Sequence, residues 1–230
     1  MAGTAATCGY ATPGSRRLVV SPVSRIGRQW ARFVGPEATR FNNALAIGSA
    51  IAGAVAAGLW ARRRGGGLGT VGLVAVMAAD LVGGAYVNNT RACVRWYERA
   101  GQGDREHLAF AALHAHPVLV AWVDRRLGAR EHALAWAVAQ YGYMMVATVI
   151  IRSCPVRRRI LGVALTAGGV ALDRTLGPST SVPWFSWTYY PKLLMGHAAG
   201  SFRPDEDFGA DFAHLEGVRK PWPTRSAVSQ

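Results

Sequence analysis

The chain has 230 residues, of which 50% are hydrophobic and only 17% charged; a soluble domain carries about 25% charged residues. Its formal net charge of +13 comes almost entirely from arginine, because Lys192 and Lys220 are the only lysines. The arginines flank long charge-free runs instead of lining one face, which excludes a nucleic-acid-binding domain and points to a polytopic membrane protein among anionic lipid headgroups.

Residues 1–41 read as a basic cytoplasmic tail with a short amphipathic piece around Ile26 to Phe33. Arg16 and Arg17 form a twin arginine, but no apolar stretch of signal-peptide length follows them. The segment 42–176 is predicted to be an all-α, polytopic bundle of about five transmembrane helices. The first is NALAIGSAIAGAVAAGLW, 43–60, rich in Ala and Gly and closed by Arg62, Arg63 and Arg64. The second, 70–87, holds one acid, Asp80. The third, 107–123, holds His107, His114 and His116, with Pro117 expected to kink it. The fourth, 132–151, carries Gln140, Tyr141 and Tyr143, and the fifth, 160–172, is short and ends at Asp173 and Arg174.

The stretch 177–202 is aromatic and broken by Pro183 and Pro191, so it is expected to be interfacial or re-entrant, with Lys192 among the flanking charges. Residues 203–230 read as a polar tail. The larger share of near-span arginine falls on the side of the N-terminus, the 88–106 loop and the 152–159 loop, which places that side in the cytoplasm and the chain in the cell membrane. The cysteines Cys8, Cys93 and Cys154 have no metal spacing and make no disulfide framework.

Asp80 is the sharpest signal for chemistry. A carboxylate within a span costs roughly 3 kcal/mol to insert, so it faces the bundle interior or a water pocket and has a partner. Gly83 and Gly84 follow on nearly the same face and let another helix or a ligand approach. The other reading of such an acid is structural, a hydrogen-bonded tie between helices. On one continuous helix His114 and His116 point in nearly opposite directions, so His114 is the candidate acid, base or proton relay, and His116 bonds to a neighbouring helix. If the second to fourth spans are neighbours, Asp80, His114 and Gln140 converge on a polar pocket with His116 and Tyr143 nearby. The alternative is separate hydrogen bonds between helices.

Arg91, Arg95 and Arg99, spaced four apart, form a stripe suited to an anionic headgroup. No cofactor is expected; a haem or metal at His114 is the lesser alternative, since the chain has six histidines and no HxxH boxes. Serine-hydrolase, Walker A, dinucleotide and zincin motifs are missing from the sequence.

Two functions follow as expectations. The first is a multi-pass protein that is an accessory subunit or carries a small molecule or proton through the Asp80–His114 region. The second is a membrane-embedded enzyme acting on a lipid or isoprenoid-like substrate, with Asp80 or His114 as general acid or base. The expected partners are membrane lipids and a lipid-like or small-molecule ligand, with the oligomeric state left open.

Overall fold

The computed structural model describes residues 25–212. Most of the tail expected over 1–41, with its twin arginine, and the end of the tail expected over 203–230 lie outside these residues. Among the described residues there is helix and no strand. The helices are α1 (Arg25–Val34), α2 (Arg40–Arg63), α3 (Leu68–Val87), α4 (Arg91–Tyr97), α5 (Asp104–Leu113), α6 (His116–Arg126), α7 (Ala133–Ser153), α8 (Arg158–Leu176) and α9 (Phe185–Tyr190). A π-helix, Pro191–Ala198, continues α9, and single 3-10 turns lie at Pro155–Arg157 and Asp205–Asp207.

Three helices, α2, α3 and α7, are long and apolar enough to cross a membrane. At 1.5 Å per residue the 24 residues of α2 reach about 36 Å, more than a bilayer core of about 30 Å. α2 starts at the Thr39 side chain, which accepts from the Asn42 N–H at 3.1 Å, and ends in Arg62 and Arg63, the signs that suit the helix dipole. α2 and α3 form an antiparallel hairpin whose contact surface is made of small residues. A Cβ on Gly83 would come within 2.9 Å of the Ala50 Cβ, and one on Gly53 within 2.8 Å of the Val82 Cβ. The outer face of α2 exposes Phe41, Leu45, Ile51, Val55 and Leu59, which fall on one stripe of the helix.

The run 107–123, expected as one span, is two helices, α5 and α6. Pro117 sits in the first turn of α6, where its missing N–H removes no helical bond, so the chain breaks just before it, at His114 and Ala115. A break in an apolar setting strands the carbonyls of the last turn of α5, and each needs a donor. His114 Nδ1 bonds to the Phe110 carbonyl at 2.7 Å, the Tyr141 hydroxyl to that of Ala112 at 2.8 Å, and the Tyr189 hydroxyl to that of His114 at 3.0 Å.

The aromatic stretch after α8, expected to be interfacial or re-entrant, packs much of its length into the interior of the molecule. Phe185, Tyr189, Tyr190, Lys192, Leu193 and Leu194 are all fully buried. Pro191 does not end the helix. It lacks an N–H to continue the α pattern, and the turn widens, so that Ala199 N donates to the Leu194 carbonyl five residues back at 3.0 Å.

Among the described residues the helical runs of the molecule are α2, α3, the α5–α6 pair, α7, α8, and α9 with its π-helix. Side-chain bonds pin the two ends. At one, Glu98 meets Arg152 at 2.7 Å and Arg158 at 3.6 Å, and Asp207 meets Arg91 at 2.8 Å. At the other, Trp60 Nε1 donates to the Thr180 carbonyl at 3.1 Å and Arg130 to that of Leu176 at 3.2 Å. The loops predicted to share the arginine-rich side, 88–106 and 152–159, do lie at one end.

Candidate functional site

The side chain that meets Asp80 is Lys192, which the sequence places among flanking charges. Lys192 is 1% exposed, and its Nζ donates to Asp80 Oδ2 at 2.5 Å and to the Asp80 carbonyl at 3.3 Å. A charged amine in such a place needs a counter-ion, and the only acid of α3 supplies it. Gly84 explains how the lysine stem reaches across: a Cβ there would stand 2.5 Å from Lys192 Cε and 2.7 Å from Cδ. The close approach expected at Gly83 and Gly84 is thus made by a helix at the first and by this side chain at the second. Asn88, one turn further along α3, donates to the Lys192 carbonyl at 3.2 Å and holds the π-helix in register.

His116 completes the cluster, with Nε2 3.2 Å from Asp80 Oδ2. A carboxylate only accepts, so that nitrogen carries the proton. The break between α5 and α6 turns His116 to the same side as His114, against the expectation from an unbroken helix, and their rings stack at 5.4 Å. His114 does not touch the carboxylate; its Nδ1 is committed to the Phe110 carbonyl. The Asp80 side chain is 36% exposed and that of His116 14%. The cluster is thus enclosed on the lysine side and reachable on the carboxylate side, beside the exposed Leu113 and Ala115 of the break.

A row of rings leads from here to the arginine-rich end. Phe110 lies against His114 at 4.4 Å and stacks on His197 at 3.8 Å, and His197 lies 4.5 Å from His107. His107 Nε2 is 3.7 Å from Glu98 Oε1. Both His107 ring nitrogens and His197 Nε2 are buried without a hydrogen-bond partner. Burial raises the Glu98 carboxyl above its usual range, against the pull of Arg152. Burial likewise pushes the Cys93 thiol up, which leaves it a packed, unreactive group bonded weakly to Asn88. The sequence sets His197 aside as a partner for His114, because it follows Pro191 in the stretch expected to be interfacial or re-entrant. Among the described residues no three His, Cys, Asp or Glu side chains converge as metal ligands would.

Gln140 and Tyr143 belong elsewhere. Gln140 Nε2 donates to Asp173 at 3.1 Å, and the Tyr190 hydroxyl donates to Gln140 Oε1, all three side chains lying in a buried second cluster. The Tyr143 hydroxyl donates to the Leu165 carbonyl of α8 at 2.8 Å, over Gly168. Of the arginine stripe, Arg91 and Arg95 turn to Asp207, at 2.8 and 3.5 Å, and Arg95 also to Glu37 at 2.8 Å. Arg99 lies 3.8 Å over the Trp96 ring. Comparison of the chain with protein-family models, with curated proteins and with solved structures finds no match.

Proposed function

We propose that the chain is an integral protein of the cell membrane that crosses the bilayer six times and carries protons, alone or with a small solute, through the Asp80 centre. Its arginine-rich end, with the N-terminus, faces the cytoplasm. The membrane reading is supported by the outward apolar stripe of α2 together with exposed Leu134, Val138, Val146 and Ile150 on α7, a belt far larger than a soluble protein leaves open.

The observation that carries the functional reading is one carboxylate shared by a fully buried ammonium and an imidazole, in a helix apolar enough to span, and open on one side. Protonation of Asp80 from the open side removes the counter-charge of Lys192. The freed lysine then loses its proton or seeks another anion, and either change alters the hold of the π-helix on α3. That coupling of one proton to one helix contact is what a carrier needs. A solute bearing a carboxylate would take the place of Asp80 as the partner of Lys192.

The test is flux in proteoliposomes with a pH-sensitive dye inside. The double variant Asp80→Asn/Lys192→Met removes both charges together and leaves no orphaned ion. It is expected to fold and to lose proton uptake. Uptake equal to wild type at equal protein would overturn the reading.

A second reading rests on the same open side. The Asp80–His116 pair, beside the gap between α5 and α6, has the composition of a general acid–base couple for a lipid-like substrate entering from the bilayer. Turnover of added lipid in detergent, lost in His116→Gln while proton uptake persists, would favour it over the carrier.

A further inference from the structure

Where α3 passes from apolar to polar, a groove of about 420 Å³ opens between the start of α2, the end of α3 and the π-helix. Its walls carry Arg91 and Arg203 and no acid, and its floor includes Ala85, Pro191 and Met195. Both arginines are held in place: Arg91 Nε donates to Asp207 Oδ1 at 2.8 Å, and Arg203 donates to the Asn89 carbonyl at 3.4 Å. The Arg91 side chain still exposes 62% of its surface, so its remaining N–H groups are open to a ligand. Asn89 also lines the groove. It spends its amide hydrogens on the carbonyls of Ala85 at 2.8 Å and Pro191 at 3.5 Å, and its Oδ1 is buried with no partner.

Fixed guanidinium groups call for a phosphate, which they bind as charge-assisted pairs. An ammonium would be repelled by the arginines, so the headgroup carries no charge beyond its phosphate. The apolar floor, at the level where α3 leaves its apolar stretch, calls for acyl chains below the headgroup. We propose that this groove binds one phosphatidylglycerol-type lipid, its phosphodiester between Arg91 and Arg203 and its uncharged headgroup beside them.

The proposal rests on the membrane reading but not on Asp80 as the exchanging group. A chain that leaves the membrane without detergent would sink the membrane reading, whereas the lipid measurements below bear on the groove alone. The detergent-purified full chain is titrated with phosphatidylglycerol, phosphatidylethanolamine and phosphatidylcholine, and bound lipid is counted by native mass spectrometry. Phosphatidylglycerol is expected to be retained at one per chain, with the other two weaker by about tenfold, because each places a headgroup cation beside the two arginines. Arg203→Glu is expected to remove that preference. Met195→Trp, which fills the floor and leaves every charge in place, is expected to weaken all three lipids together and serves as the check if Arg203→Glu fails to fold. Equal retention of the three lipids by the wild type would overturn the proposal. So would release of the bound lipid by soluble glycerophosphoglycerol at equal concentration, which would make the groove a site for a free phosphodiester.

Discussion

Two polar clusters tie the last buried segment to the helices around it, and they differ in what they leave open. In one, Gln140, Asp173 and Tyr190 join α7, α8 and α9; Gln140 is 0% exposed, Asp173 2% and Tyr190 0%. In the other, Lys192 is equally enclosed, but the carboxylate it holds is 36% exposed and shared with His116. The first is a sealed fastener: nothing reaches it and its hydrogen bonds satisfy one another. The second has ionisable groups on both sides and an open flank. Burial alone does not mark a site, since the sealed cluster is the more deeply buried of the two; a charge that must be kept balanced while one partner remains in reach does.

The comparison breaks most visibly at the ion pair. Asp80→Asn leaves the ammonium of Lys192 buried without its counter-ion, and is expected to cost about 3–5 kcal/mol. Lys192→Met leaves Asp80 with its His116 partner and able to take up a proton, so it is expected to cost less. The double variant Asp80→Asn/Lys192→Met should recover most of the loss, read as thermal unfolding in detergent. Equal losses in the two single variants, with no recovery in the double, would mean that the pair is not the unit of stability here.

Gly84→Val tests the same centre without touching a charge. The added side chain occupies the space of Lys192 Cε, 2.5 Å from where a Cβ would lie, and must push the ammonium off Asp80. The expected cost is about 3 kcal/mol, the upper end for overpacking, together with loss of proton uptake. A stable Gly84→Val protein with unchanged uptake would show that the lysine has another route to the carboxylate.

Much of this was legible beforehand, and the failures have physical causes. Asp80 stood out because a lone acid in an apolar run must have a partner, and the glycines after it marked the side of approach. The partner stayed hidden because Lys192 sits between Pro191 and a run of aromatics that reads as headgroup chemistry. Its one distinguishing mark is chemical: in a chain whose other cations are nearly all flanking arginines, it is the lysine inside an apolar stretch. The convergence of Asp80, His114 and Gln140 assumed unbroken helices. The break at His114 and Ala115 sends His116, not His114, to the carboxylate, and Gln140 finds Asp173, which the sequence shows only as the end of a short span.

Gln140→Leu sharpens the comparison from the sealed side. It strands Asp173 and the Tyr190 hydroxyl in the interior, at an expected cost of about 2 kcal/mol for unsatisfied buried groups. Proton uptake per folded protein should stay at the wild-type level, because this cluster meets the Asp80 centre through the packing of Tyr190 on Tyr189 and of Tyr189 on His116, contacts that move no proton. A loss of uptake in a fully folded Gln140→Leu protein would join the two clusters into one site.

The smallest expected effect is at Tyr143, which the sequence grouped with the pocket. Its hydroxyl donates to the Leu165 carbonyl, on the α7–α8 contact and away from both clusters. That carbonyl lies within α8 and so already accepts the helical N–H four residues on, which makes the tyrosine a second donor rather than a required one. Tyr143→Phe keeps the ring on Tyr190, whose edge it meets at 5.7 Å, and is expected to cost about 0.5 kcal/mol, the average for a hydrogen bond between helices in a membrane. A cost several times larger, measured as unfolding in detergent, would mean that the α8 carbonyl depends on the hydroxyl, and that the contact between α7 and α8 is a third fastener and not plain packing.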